Sequence, residues 1–343
     1  AATGPVRQNP GMLILTEHEV RDLLDLDELV DALASAMADL SAGDASVPPR
    51  VAAIVERRGG ILGAMPGYLP SSNTLAAKLV SVFPRNAERG LHTHNAVIVV
   101  FDAETGTPAA LMDGTYITAV RTAAGSALAT RLLTREDASS LAILGTGVQA
   151  RTHARALCRV RPITEVRVAG RDARKAEALA EELRRDFAPW FTGRIAAAPS
   201  FEAAIHGADI VSATTHSPEP VTRREWLSPG THVNSVGVNQ QGPEIDAATV
   251  ADAVVVVESR ASALAPFPAG AADLLHPIRD GVITGDHVHA EVGELVLGTK
   301  PGRTSEFQIT LYKSVGVAVQ DAAAAALVLR AAQQRGVGVD IEL

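Results

Sequence analysis

Leu141-Ala142-Ile143-Leu144-Gly145-Thr146-Gly147-Val148-Gln149-Ala150 is the stretch that decides the fold. An apolar strand runs into Gly145-x-Gly147-x-x-Ala150, and helical spacing takes over across 148–159. The first glycine permits a tight turn, the second lets the backbone approach a pyrophosphate, and the small third residue lets helix and strand pack closely. Backbone N–H groups at the helix start then face the phosphates. A glycine motif alone is weak, but strand, turn and helix in this order are the context a dinucleotide site requires. Gly145, Thr146, Gly147, Val148 and Gln149 are therefore candidate cofactor contacts.

Downstream the alternation continues. Strands are expected at 140–144, 165–169, 209–213, 232–236 and 253–257, with a weaker one near 194–198, and helices at 148–159, 173–187 and 201–206. Continuous apolar strands separated by helices imply an α/β, Rossmann-type doubly wound parallel sheet covered on both faces. The second strand ends in Gly170-Arg171-Asp172, with Arg174 and Lys175 close behind. A carboxylate at this point holds the 2′-hydroxyl of NAD, whereas an arginine suits the 2′-phosphate of NADP. Arg171 therefore favours NADP(H), with NAD(H) as the alternative. The competing reading is a solvated Arg171 beside an Asp172 that caps the next helix or holds the ribose.

Upstream the pattern differs. Thr16 and Glu19 form a capping-box pair, and Val20, Leu23, Leu24, Leu26, Leu29, Val30, Leu33 and Met37 follow at helical spacing until Gly43. Pro48-Pro49 then enforce extended chain. Strands are expected at 51–55, 61–65, 75–82, 96–101 and 109–112, with a hairpin loop at 102–106 joining the last two. Such closely spaced strands predict a mixed or antiparallel α+β sheet. A small-residue helix at 115–133 leads out of it. A final Ala-rich helix at 314–334 could pack on either domain.

At 343 residues and 47 % hydrophobic content the chain can fill two domains. A net charge of -8 and 3 % aromatics exclude a basic, stacking nucleic-acid face. No apolar run reaches the length of a membrane span. The lone Cys158 cannot build a disulfide framework, and a cytoplasmic location fits. Residues 1–11 read as a disordered lead or tag remnant, with Met12 as a natural start.

Taken together, the residues resemble the ornithine cyclodeaminase/mu-crystallin family from about Leu13 onward. The resemblance is carried by Gly63-Ala64-Met65-Pro66-Gly67-Tyr68, Ala77-Lys78-Leu79-Val80, Asp113-Gly114-x-x-Ile117-Thr118-x-x-Arg121-Thr122-Ala123-Ala124 and the Gly145 loop. It continues through Asn234-x-Val236-Gly237, Glu244-x-Asp246, Gly293-Glu294-Leu295, Pro301-Gly302-Arg303 and Ser314-Val315-Gly316. It implies a homodimer, and a first domain that supplies both the dimer contact and the amino-acid site. The C-terminal helix would rejoin that domain. The domains would then be 12–130 with 320–343, and 131–319 between them.

The resemblance places Arg50, Lys78 and Arg121 on the substrate carboxylate, and their setting agrees. Arg50 follows Pro48-Pro49, Lys78 interrupts an apolar strand, and Arg121 lies among small residues of a helix. Such cations are seldom buried without an anionic partner. Asn95, just before a strand, is a further substrate candidate. The resemblance puts the nicotinamide near Val236, Gly237 and Val315, and Thr122 and Thr214 complete the candidate cofactor contacts. Asn239 and Gly63 stand where the ornithine cyclodeaminase branch carries an aspartate and a glutamate, which points to the ketimine reductase branch. An amide takes no proton near neutrality, so Asn239 can only orient substrate or water.

The expected reaction is reduction of the C=N bond of a small 2-imino acid, a cyclic ketimine such as a pyrroline- or piperideine-2-carboxylate or an acyclic, iminosuccinate-like one, or the reverse amino-acid dehydrogenation. Lys78 would bind the carboxylate or keep the imine nitrogen protonated. The alternatives are an NAD-dependent cyclodeaminase, an opine-like reductive condensation and a non-enzymatic NADPH-binding protein. His92-x-His94 and His287-x-His289 have no third ligand at metal spacing, so no metal is expected. Cys158 reads as an inert thiol, Asp209 as a cap or turn, and Arg7, Arg57 and Arg58 as solvated.

Overall fold

The structure, a computed structural model, describes residues 11–239, 241–267 and 269–342. The expected lead at 1–11 (Gly11 apart) and Arg7 lie outside the described residues. The chain divides into two compact units. One comprises the chain up to Arg121 and again from Val317 onward; the other runs from Thr122 to Gly316.

The first unit opens with β1 (Met12–Leu15), α1 (Glu17–Leu23) and α2 (Leu26–Ala42). Thr16 and Glu19 form the expected capping box, and Gly43 ends α2 in the left-handed region at φ 83°. The helical run is interrupted at Leu24, and the Asp25 carboxylate accepts the N–H groups of Asp27 and Glu28 at 2.9 Å to start the second helix. Next come β2 (Val51–Val55), β3 (Gly60–Leu69), β4 (Thr74–Val82), β5 (His94–Phe101) and β6 (Pro108–Asp113). These five form the expected antiparallel ladder, closed between β5 and β6 by a turn in which Asp102 accepts from Glu104 and Thr105. Two short strands were not expected: β1 pairs parallel with β6, and antiparallel with a strand from the end of the chain. α3 (Gly114–Leu133) follows β6.

The second unit contains β7 (Ser140–Leu144), α4 (Val148–Val160), β8 (Glu165–Ala169), α5 (Ala173–Phe187), β9 (Arg194–Ala197), α6 (Phe201–Ile205), β10 (Ile210–Ala213) and β11 (His232–Ser235). It is completed by α7 (Ala247–Asp252), β12 (Val254–Val257), α8 (Arg260–Ala263), α9 (Ala272–Arg279), β13 (Val288–Glu291), α10 (Val292–Val296) and β14 (Thr310–Lys313). The chain then returns to the first unit with α11 (Ala318–Arg335) and β15 (Val339–Ile341).

The second sheet has the order β13-β12-β14-β11-β10-β7-β8-β9, and every pairing is parallel. Leu141 to Leu144 and Val255 to Val257 are wholly buried, as strands covered on both faces must be. α5 buries Ala176, Leu179, Ala180, Leu183 and Phe187, one stripe at helical spacing. The C-terminal carbonyls of α3 are satisfied by guanidinium groups. Arg161 donates to Arg131, Thr134 and Arg135, and Arg303 donates to Leu133 at 2.7 Å. Asp209, expected as a cap or turn residue, instead ties distant segments together, accepting from Ser139 and Ser140 while pairing with Arg135.

In the first unit, α11 covers β3, β4 and β5 on one face of the sheet, and α2 packs against α11. A Cβ on Gly67 would lie 3.1 Å from the Ala318 Cβ, so α11 sits on the face shared by Gly63, Met65 and Gly67. Alanines 322 to 325 are buried at this contact, and side chains that short let the helix lie close to the strands. The register puts Lys78, opposite Met65, on the same covered face. The other face carries Val51, Leu62, Leu79 and Val97, exposed at 65, 49, 38 and 40 %.

Candidate active site

Within the first unit, Lys78 and Arg121 meet at a carboxylate that the sequence reading did not assign. Lys78 Nζ lies 2.8 Å from Asp321 Oδ2, and Arg121 Nε donates to Asp321 Oδ1 at 3.0 Å. Arg121 Nη1 also donates to Gln320 Oε1 at 2.8 Å. All four residues are buried, none more than 5 % exposed. Burial alone would raise the Asp321 carboxyl; the charges of Lys78 and Arg121 overcome it and hold it below the ordinary carboxylate value. Burial, opposed by Asp321 and aided by the charges of Arg121 and Arg50, lowers the Lys78 ammonium to about 8.

Arg50 is exposed, at the approach to β2, and its charge reaches Lys78. Two cations therefore meet at one carboxylate. That imbalance suits a second, incoming acid group. Gln320 Nε2, wholly buried, has no hydrogen-bond partner among the described residues, which leaves a donor for an acceptor atom at the same place. The signal for this pair was present in the sequence. Gln320-Asp321 is a polar pair inside the otherwise small and apolar run 315–328. Asn95 does not join the cluster. It pairs with Ser81, so strand alternation turns it to the face opposite Lys78, where its amide donates to His92 O at 3.4 Å.

In the second unit a cavity of about 320 Å³ opens at the C-terminal ends of β7, β8 and β10. Of the expected cofactor residues, Gly145, Thr146, Gly147, Arg171 and Thr214 line it. Gly145 has φ 120°, and a Cβ there would fall 2.8 Å from Thr214 Oγ1, so only glycine fits. At Gly147 a Cβ would meet nothing within 4 Å. Protein packing does not demand glycine at that point, and the bare backbone at the N-terminus of α4 leaves room for a phosphate group. Thr122, Val148, Gln149, Val236, Gly237 and Val315 are not part of the cavity wall.

Lys175, Thr215 and His216 line the cavity as well, although they were not among the expected contacts. Asp172 is the N-cap of α5, its Oδ1 accepting the Arg174 N–H at 2.9 Å. Arg171 and Lys175 are exposed on the cavity wall and pair with no carboxylate among the described residues. The Asn239 amide is engaged at both ends, donating to His216 O in the loop after β10 at 3.1 Å and accepting from Gln241 N in its own loop at 2.9 Å.

The histidines are structural where they bond. His287 and His289 contact the carbonyls of Val250 and Pro301, and no metal-holding cluster occurs among the described residues. Burial pushes the Cys158 thiol up to about 12, which keeps it unreactive. No helix among the described residues is long and apolar enough to cross a membrane.

The model of the ornithine cyclodeaminase/mu-crystallin family matches residues 11–336. A Δ1-pyrroline-2-carboxylate reductase of Bacillus cereus (strain ATCC 10987 / NRS 248) is 35 % identical over 334 residues, covering 96 % of this chain and all of that protein. Among solved structures, Thermococcus litoralis Δ1-pyrroline-2-carboxylate reductase, in complex with NADH and L-proline, superposes with a TM-score of 0.91 at 38 % identity. That match covers 96 % of this chain and all of the other. An archaeal alanine dehydrogenase dimer with bound NAD gives a TM-score of 0.88 at 33 % identity, covering 97 and 99 % of the two chains.

Proposed function

The chain belongs to the ornithine cyclodeaminase/mu-crystallin family, and from that premise we propose that it is an NAD(P)H-dependent reductase of the C=N bond of a small 2-imino acid. In reverse the same step is an amino-acid dehydrogenation. The observation that carries the reading is the buried pair Lys78 and Arg121 on Asp321, which has more positive charge than that one carboxylate neutralises. The Bacillus and Thermococcus proteins are reductases of a cyclic 2-imino acid, and L-proline is its reduced form. A pyrroline- or piperideine-2-carboxylate is therefore the substrate class.

Arg121 and Arg50 hold the carboxylate and fix the imine carbon beside it, an orientation that lowers the barrier by several kcal/mol. Lys78, held by Asp321, keeps a proton at the imine nitrogen so that the carbon accepts hydride. The dinucleotide, when bound, supplies that hydride. Asn239, already bonded through both ends of its amide, orients its loop and is no base, which disfavours cyclodeamination. The glycine loop takes the pyrophosphate. Arg171 and Lys175 take a 2′-phosphate, so NADP(H) is preferred and NAD(H) is the weaker alternative.

The test is NADPH oxidation against a panel of cyclic and acyclic 2-imino acids. Turnover is expected with the cyclic members, and none anywhere on the panel would refute the reading. The pH dependence has a definite sign. Lys78 is protonated below about 8, so kcat/KM for reduction falls about tenfold per pH unit above that value. A profile flat through pH 10 would remove Lys78 from proton handling.

The bare apolar face of the first sheet fits a second copy of the chain, and the similar archaeal alanine dehydrogenase is a dimer. Leu79→Glu places a charge at the middle of that face. Sedimentation should then show a monomer where the unaltered protein is a dimer; a dimer in both would move the interface elsewhere.

A further inference from the structure

We propose that a buried acidic network at the C-terminal ends of β11, β12 and β14 poises the dinucleotide site toward the oxidised, positively charged form of the nicotinamide ring. It comprises Glu244 and Asp273 with the ammonium of Lys313, and Glu258 on the loop after β12, all 3 % exposed or less. The proposal rests on the dinucleotide reading above and adds to it what the strand ends do to the ring's charge.

Lys313 ends β14. Its Nζ lies 2.6 Å from Asp273 Oδ2 and donates to Gly237 O at 2.7 Å and to Ser235 Oγ at 3.1 Å. Because Lys313 only donates, the Ser235 hydroxyl must pass its own proton on, and it donates to Glu244 Oε1 at 2.9 Å. The Gly237 N–H reaches the same oxygen at 2.6 Å. Glu244 Oε2 accepts the Thr215 N–H at 3.1 Å and its hydroxyl at 2.9 Å, and that hydroxyl in turn accepts from Ser217 N. Every bond to Glu244 thus arrives from a donor. Burial raises its carboxyl, opposed by Lys313 and aided by the Asp273 charge, while the fixed N–H groups of Gly237 and Thr215, one on each oxygen, favour the anion.

Glu258 does the same for the next loop. Its Oε2 accepts the N–H groups of Val315 and Gly316 at 2.8 Å, and its Oε1 accepts from Ser314 Oγ at 2.7 Å and Tyr312 OH at 3.2 Å. Asp273 Oδ1 accepts from the backbone of Glu244 and Ile245. Glu244 and Asp273 therefore share one buried ammonium, and no ion pair among the described residues reaches the buried Glu258. Arg260, two residues beyond Glu258, does not redress this, since Glu294 and Glu291 already match it. Uncompensated buried charge is expensive, so an excess of this kind needs a reason.

The topology supplies the reason. The phosphate loop follows β7, and the Arg171 end of the cavity follows β8 on one side of it. The other half of a dinucleotide must run the opposite way, over the ends of β10, β11 and β14. Those ends are Thr215, Gly237 and Val315, the backbone groups that Glu244 and Glu258 hold. A ring that has given up hydride is a cation, and anions held behind the backbone of Thr215, Gly237 and Val315 would lower its energy when it binds there.

The test uses the full chain with Glu258→Gln, whose amide can donate to the Ser314 and Tyr312 hydroxyls, and with Glu244→Gln. Dissociation constants for NADP+ and NADPH are measured by calorimetry. Each charge removal should weaken NADP+ relative to NADPH about tenfold, which makes the bound couple about 30 mV more positive. A purely structural role would weaken both forms equally, so an unchanged ratio in folded variants overturns the proposal. The unaltered protein provides a check that needs no variant. It should bind NADP+ at least as tightly as NADPH, and a preference of more than tenfold for NADPH overturns the proposal. Binding of neither form would instead sink the dinucleotide reading itself.

Discussion

Arg121→Met should lower kcat/KM for reduction of a cyclic 2-imino acid about a thousandfold while leaving NADPH affinity within about twofold. The size follows from what is lost: a charge-assisted contact to the carboxylate and the orientation it imposes, together on the order of 4 kcal/mol. The charge pattern says the variant will fold. Without Arg121, Lys78 and Asp321 remain as a matched buried pair, and Asp321 Oδ1 and Gln320 Oε1 each lose one donor. Asp321→Asn is the contrasting case. It leaves Lys78 and Arg121 buried without their anion, at a cost of about 3–5 kcal/mol, so its melting temperature should drop far more than that of Arg121→Met. Turnover near the unaltered level in Arg121→Met would show that the acid group is gripped elsewhere.

Arg171→Ala should raise the Kd for NADPH about 10- to 100-fold and change the Kd for NADH by less than about threefold. A bidentate guanidinium–phosphate contact is worth about 1.5–3 kcal/mol, and only the phosphorylated cofactor offers the phosphate. Arg171 is exposed on the cavity wall, so its removal costs the fold almost nothing. Lys175→Ala should act in the same direction but more weakly, since an ammonium lacks the planar fork. Asp172 cannot readily substitute as a ribose ligand, because its Oδ1 is engaged in capping α5. Equal loss of both cofactors would mean that Arg171 grips the shared part of the molecule, and the preference for NADP(H) would fall.

Much of the second unit is legible because parallel strands are buried on both faces and read as unbroken apolar runs, as in Leu141 to Leu144. β14 escaped for the opposite reason. Thr310 and Lys313 look polar in sequence, and only His232 and Asp273, 78 and 40 positions away, make their burial tolerable. β1 and β15 are short and pair across almost the whole chain, Met12 with Ile341, which no local pattern reveals. The candidate site divides in the same way. Lys78 and Arg121 stand out as cations in apolar surroundings. Asp321 is 200 residues beyond Arg121, and a residue's own neighbourhood says that it needs a partner without saying which.

That separation also governs how the protein is born. At about 5–20 residues per second, a ribosome needs about 10–40 s to travel from Arg121 to Asp321. The stretch Thr122–Gly316 is continuous and can finish folding as it leaves the exit tunnel. The earlier sheet has to wait, its two cations still hydrated, until α11 emerges to cover it. The unit made first is thus the last to be completed, and a nascent chain stalled before α11 would present chaperones with an open apolar sheet beside a finished nucleotide fold.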